Sequence, residues 1–200
     1  GDDYVISGSK TFISSAWYAG LVVLAAKTDT KVSGVMGISM IAVETKDLPG
    51  YQVGKSFEKV GMHEQDTCEM FFDNVRVPVA NLLGKSEGEG FFQMMEELPY
   101  ERLLIALNAV ASAEQALAIT IKYVKERTAF GKPPMDLQHT RFTLAECRTQ
   151  SHIGRVFTDH CIQRSVAGTP DAETAAMAKY WLTDRQCEII DACLQLHGGY

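Results

Sequence analysis

Four short stretches of this 200-residue sequence carry side chains able to do chemistry or to hold a flat, charged ligand. In Leu98-Pro99-Tyr100-Glu101-Arg102-Leu103-Leu104 a carboxylate stands between an aromatic ring and a guanidinium, with apolar residues following. Desolvation in an apolar cleft raises a carboxylate's pKa toward the working pH, which would suit Glu101 to act as a general base. A plain structural role stays open beside it: a first helical turn favours acidic residues by about 0.3–1 kcal/mol, and Glu101 with Arg102 makes a solvated pair.

The run Glu126-Arg127-Thr128-Ala129-Phe130-Gly131 closes a helical pattern, so Arg127 answers a helix C-terminus and Gly131 supplies the cap. The alternative is that the planar fork of Arg127 holds a pyrophosphate while Phe130 packs against a ring. In Lys10-Thr11-Phe12-Ile13-Ser14, Phe12 and Ser14 share one face of a strand, where an aromatic and a hydroxyl either join a core or meet the face and edge of a planar cofactor. Gln195-Leu196-His197-Gly198-Gly199 ends another helix, and its glycines serve as a C-cap or allow close approach to a ligand.

Other chemistries lack a foundation. His63, His139, His152, His160 and His197 form neither H-E-x-x-H nor a His/Cys pair at ligand spacing, and no G-x-S-x-G elbow appears. Gly84-Lys85-Ser86 resembles the end of a phosphate loop, but Val79 stands where its first glycine belongs. The formal charge of -6 divides into -2 over residues 1–85 and -4 over 86–200, so no basic field exists for nucleic acid. Cys68, Cys147, Cys161, Cys187 and Cys193 are an odd set without C-x-x-C, which points to a reducing, intracellular compartment. No apolar run is expected to approach the roughly 20 residues that span a bilayer. Both ends of the chain read as cuts through a longer protein.

The elements that must position these residues fall into two periods. Over 1–85, short runs rich in β-branched and aromatic residues predict a hairpin from Tyr4 to Ser14 turning at Ser7-Gly8-Ser9, then strands at Leu21–Lys27, Val35–Val43, Val53–Val60 and Cys68–Phe72. Turns are expected at Asp47-Leu48-Pro49-Gly50 and Val60-Gly61-Met62. Strands without intervening helices make an antiparallel barrel or sandwich. Over 86–200 the period is helical. Leu103, Leu107, Val110, Leu117, Ile121 and Val124 share one face of a helix with Pro99 in its first turn. A second helix is predicted from Leu137 to Val166. Beyond Thr169-Pro170-Asp171 comes a third, with Ala178, Leu182, Ile189, Ala192 and Leu196 on one stripe that also includes Arg185, read as a snorkelling stem. Three such helices joined by short loops pack up and down. The fold class is therefore α+β, with a β-domain at 1–85 followed by a helical bundle at 86–200.

Taken together, these stretches and their order resemble the acyl-CoA dehydrogenase family. The likeness runs through Gly8-Ser9-Lys10-Thr11-Phe12-Ile13-Ser14, Gly61-Met62, Val75-Arg76-Val77-Pro78, Asn81-Leu82-Leu83-Gly84, Glu126–Gly131 with Leu137-Gln138, Met177-Ala178-Lys179-Tyr180-Trp181 and Gln195–Tyr200. It implies a middle β-domain and most of a C-terminal four-helix bundle, without the family's N-terminal helical domain and last helix. It also implies FAD, with Phe12, Ile13 and Ser14 bordering the isoalloxazine. Arg127, Phe130, Gln138, Gln195, Gly198 and Gly199 would touch the FAD of a neighbouring subunit in a homo-oligomer, a dimer of dimers.

Most of the family carries its base on the last helix, but the phrase Leu98–Ala106 resembles the long-chain branch, which carries it where Glu101 stands. The implied activity is α,β-dehydrogenation of a fatty acyl-CoA to the trans-2-enoyl-CoA. Glu101 would be the base, Tyr100 and Arg102 would line the substrate site, and electron-transferring flavoprotein would accept the electrons. The implied location is a bacterial cytoplasm or the mitochondrial matrix. An acyl-CoA oxidase, which would release peroxide in air, and a flavin-free paralogue serving as an interaction scaffold are the alternatives.

Overall fold

The computed structural model describes residues 1–168 and 171–199 and divides into two compact units, Gly1–Met94 and Met95–Tyr200. The first contains β1 (Asp3–Ser14), β2 (Leu21–Lys27), β3 (Ile38–Glu44), β4 (Tyr51–Val53), β5 (Thr67–Pro78) and β6 (Leu82–Leu83). They form two three-stranded antiparallel sheets, β1-β5-β4 and β2-β3-β6. Alternation builds the core. On β3, Ser39, Ile41 and Val43 are buried between half-exposed neighbours, and Ile41 and Val43 join Leu24, Met70, Phe72 and Val75 in one cluster.

The expected hairpin from Tyr4 to Ser14 is instead one continuous strand paired with β5 from Asp3–Pro78 to Ser14–Thr67. Its register shifts between Ile6 and Gly8 and again between Lys10 and Ile13, so the Ser7-Gly8-Ser9 turn signal produces a bulge that bends the strand without reversing it. The strand expected from Val35 begins only at Ile38, and the one expected at Val53–Val60 is not formed: β4 lies at Tyr51–Val53 and shares only Val53 with it. Residues 35–37 belong to a 3₁₀ turn before β3, and β4 ends at Val53, with Gly54 bonded onward to Glu69 and Phe57 to Thr67. β5 is longer, continuing to Pro78.

The glycine-rich stretch after β6 is held to the sheets. Ser39 Oγ accepts from Gly88 N at 2.9 Å, Tyr4 Oη donates to Glu87 at 2.8 Å, and Gln93 Nε2 donates to the Leu83 carbonyl at 2.9 Å.

Three helices follow: α1 (Gly90–Glu126), α2 (Gln138–Val166) and α3 (Ala172–His197). Thr169 and Pro170, expected as the break before α3, lie outside the described residues. Asp171 starts α3 as an N-cap, accepting from Thr174 N at 2.6 Å. Pro99 is not a first-turn residue but sits inside α1. The preceding residues from Phe91 to Leu98 are sound helix formers, and the helix tolerates the one donor that proline lacks. Glu101 therefore stands in the second half-dozen residues after a helix start it does not cap, and the first-turn explanation for it falls away.

Two clusters align the helices. Leu103, Ala106 and Val110 of α1 meet Cys161 of α2 and Ala178 and Leu182 of α3; further along, Leu117 and Val124 meet Leu144, Cys147, Ile189 and Cys193. The order of these partners makes α2 antiparallel to both α1 and α3. Small residues bring the axes close: a Cβ on Gly154 would lie 2.9 Å from Leu182 Cδ2 and 3.5 Å from Val110 Cγ2. Between the clusters Arg155 grips Glu114 through Nε at 3.1 Å and Nη2 at 2.5 Å. This bond holds the Glu114 carboxyl below the usual carboxylate range.

Contrary to the reading of the sequence, α1 is by length and composition apolar enough to cross a bilayer, with an 18-residue window of mean hydropathy 1.5. Here its buried stripe packs against α2 and α3. Arg185 has partners that its position on the apolar stripe did not reveal: it pairs with Glu188 and lies 5.8 Å over the Trp181 ring. Cys68, Cys147, Cys161 and Cys193 are buried free thiols, pushed up in pKa by burial, while Cys187 is exposed.

Candidate active site

Because α1 and α3 are parallel, their C-termini arrive at the same end of the helical unit. There Arg127 caps a helix, but the helix is α3 and not its own: Nη1 donates to the His197 carbonyl at 2.8 Å and to the Tyr123 hydroxyl. Tyr123 Oη donates to the same carbonyl at 3.1 Å, and its ring stacks on the His197 imidazole with centroids 4.2 Å apart. Thr120 Oγ1 lies 3.2 Å from His197 Nε2. The chain then leaves α3 through Gly198 at φ 71, ψ -131, a conformation that L side chains rarely adopt.

Two stretches named separately from sequence, Arg127–Gly131 and Gln195–Gly199, thus form one corner. Thr120 and Tyr123 complete it, a role their residue types do not announce, although the i, i+4 spacing of Tyr123 and Arg127 sets them on one helix face.

Phe130 follows in a tight turn closed by Ala129 N to the Lys132 carbonyl at 2.9 Å and the reverse bond at 3.2 Å. Positive φ at both Phe130 (54°) and Gly131 (79°) gives this turn its shape, and the Phe130 ring is wholly in solvent at 101% relative exposure. Gln138 opens α2 and Gln195 lies on the last turn of α3, both exposed.

Glu101 is exposed on α1, and Arg102 is half-buried. Successive residues of a helix point about 100° apart, so Tyr100, Glu101 and Arg102 diverge. Tyr100 borders a small recess with Leu103, Cys161, Arg164 and Asp171, where Arg164 pairs with Asp171 at 2.8 Å. Bonds from Thr174 keep the Asp171 carboxyl low in pKa.

In the β-unit, Ile13 packs against the core while Phe12 and Ser14 on either side are exposed. Phe12 sits in the register shift of β1 at φ 61, with its ring 5.3 Å from that of Phe57. Ile13 and Ser14 line an open cavity of about 370 Å³ with Tyr18, Leu21, Val22 and Met70. Among the described residues no group of three His, Cys, Asp or Glu side chains is placed to hold a metal.

Residues 1–75 match the acyl-CoA dehydrogenase middle domain and residues 88–200 the acyl-CoA dehydrogenase C-terminal domain. The long-chain specific acyl-CoA dehydrogenase, mitochondrial, of Rattus norvegicus is 41% identical over 201 residues, which cover 100% of this chain and 46% of that protein. The crystal structure of an acyl-CoA dehydrogenase from Geobacillus kaustophilus superposes with a TM-score of 0.96 at 44% identity, covering 100% of this chain and 52% of that one. A chain of the structure described as electron transferring flavoprotein of Acidaminococcus fermentans gives 0.93 at 40% identity, covering 100% and 52%. The chain spans about half the length of the curated relatives it matches. With both domains matched in order and nearly the whole sequence covered, the chain belongs to the acyl-CoA dehydrogenase family.

Proposed function

We propose that the full-length protein dehydrogenates a fatty acyl-CoA thioester at its α and β carbons, giving the trans-2-enoyl-CoA, with Glu101 as the base. The observation that carries this reading is the match of both domains to the family, joined to a carboxylate in the long-chain-like phrase Leu98–Ala106.

The residues present fit a flavin dinucleotide. Arg127 brings a guanidinium to a corner where Gly198 and Gly199 present backbone without side chains, and nothing lies within 4 Å of a Cβ built on Gly199. Phe130 offers an exposed ring, and Gln138 and Gln195 offer exposed amides. In the β-unit Phe12 and Ser14 present an exposed ring and hydroxyl beside Ile13. Phe12, Ile13 and Ser14 would border the isoalloxazine, while Arg127, Phe130, Gln138, Gln195, Gly198 and Gly199 serve the FAD of a neighbouring subunit in a homo-oligomer. Bound FAD supplies a hydride acceptor for the β-hydrogen.

The chain's own task is proton removal. The α-carbon is a weak acid, so the Glu101 carboxylate needs water excluded by substrate and neighbouring subunits before its basicity suffices. Tyr100 and Arg102 diverge from it to either side along α1, so each would border the substrate site at an edge and not beside the carboxylate. Electron-transferring flavoprotein would be the acceptor of the electrons.

Glu101→Gln in the full-length enzyme should retain FAD, yet slow anaerobic bleaching of the flavin by acyl-CoA by about 10³-fold or more. Bleaching at the unaltered rate in this variant would remove Glu101 from the reaction.

A further inference from the structure

The corner beyond α3 is at the wrong end of a helix for an anion. The last carbonyls carry partial negative charge, equivalent to about half an electron, which repels phosphate. Arg127 corrects this at the carbonyl itself, because its Nη1 is bonded to the His197 oxygen at 2.8 Å. Tyr123 makes the correction rigid. Its hydroxyl accepts from Arg127 and donates to the same carbonyl at 3.1 Å, so one guanidinium nitrogen, one phenol oxygen and one carbonyl oxygen close a triangle. The stacked His197 ring and the Thr120 hydroxyl then fix the residue that precedes Gly198.

We infer that Tyr123 is a positioning residue for the cofactor's pyrophosphate: through its hydroxyl it locks Arg127 onto the α3 C-terminus and turns a repulsive helix end into a preorganised anion corner. This rests on the reading of Arg127 as an FAD contact given above. Tyr123 touches no ligand in this account, and its whole effect passes through Arg127 and the His197 carbonyl. Loss of the hydroxyl leaves the ring stack and the bond to the His197 carbonyl in place but removes one of the contacts that orient the guanidinium, and a charge-assisted contact weakens when its donor is less well ordered before binding.

The test is a double-mutant cycle on FAD affinity in the full-length enzyme, with Kd read by quenching of flavin fluorescence on addition of apoprotein and folding checked by melting of each apoprotein. Tyr123→Phe should raise Kd about tenfold when Arg127 is present and change it less than about twofold in the Arg127→Met background. Thr120→Val, which loosens the same corner from the His197 side, should raise Kd about twofold, again only with Arg127 present, and decides the matter if Tyr123→Phe fails to fold. An unchanged Kd in Tyr123→Phe, or an equal loss in both backgrounds, overturns the positioning role while leaving Arg127 as a contact. An unchanged Kd in Arg127→Met alone overturns the reading of Arg127 and this inference with it.

Discussion

The two units place their candidate site residues by opposite means. In the β-unit Phe12 reaches solvent because the backbone is forced there: a register shift in β1 and a left-handed φ of 61° turn the ring off the ladder, over one undivided core. In the helical unit Arg127 is placed by side chains, through hydrogen bonds between two helix ends, above two clusters separated along the seam. A strand can aim a side chain by a local irregularity, whereas a helix keeps its backbone regular and must recruit partners from a neighbouring helix. Damage should therefore spread differently in each.

The contrast is broken most directly by emptying the undivided core. Ile41→Ala, at a side chain 1% exposed, should cost about 3–4 kcal/mol in chemical denaturation. Amide exchange should quicken along β1, β2, β3 and β5 together, and acceleration confined to β3 would mean that the core is not one body.

A smaller effect is expected where the seam is crowded instead of emptied. Gly154→Val should cost about 2–3 kcal/mol by wedging Leu182 and Val110 apart, measured as a shift in the denaturation midpoint. An unaltered midpoint would show that the helices approach less closely than the structure has them.

The smallest loss comes from the polar clamp between the two clusters. About a third of each side chain faces water, so Glu114→Gln should cost only about 1 kcal/mol at pH 7. The carboxyl of Glu114 is depressed in the folded state, so its contribution is complete above the unfolded value of about 4.3 and disappears as pH falls through the lower folded value. The cost of the Glu114→Gln substitution should then shrink steadily as pH is lowered below about 4.3, and a cost that stays constant on acidification would deny the pair this role.

The regular parts of each unit were legible because periodicity reports which face is buried. β2 falls on Leu21–Lys27 as alternation and turn signals place it, α2 ends at Val166, and Leu103, Val110, Leu117 and Val124 are buried as their spacing demands. The irregular parts were not, since each depends on a competition that local sequence does not decide. Ser7-Gly8-Ser9 fits a turn or a bulge equally well, and pairing with β5 selects the bulge. Pro99 reads as a helix start until the residues before it are seen to be helical as well.

The candidate site divides in the same way. Glu101, Arg127, Phe130 and the glycines after α3 are candidates by residue type, each with an ordinary structural role beside it, and their roles follow only from the resemblance to the family. Tyr123 and Thr120 look like ordinary helix residues, and only the parallel arrival of α1 and α3 gives them a common neighbour in His197.

The glycine-rich stretch at 84–89 has the composition of a tether, yet Ser39, Tyr4 and the Leu83 carbonyl staple it and the first turn of α1 at three points. Lengthening it would strip those staples instead of adding slack. Chimeras that swap modules among relatives should accordingly keep residues 84–93 together with the strands, because a splice in the glycines removes bonds that belong to the β-unit.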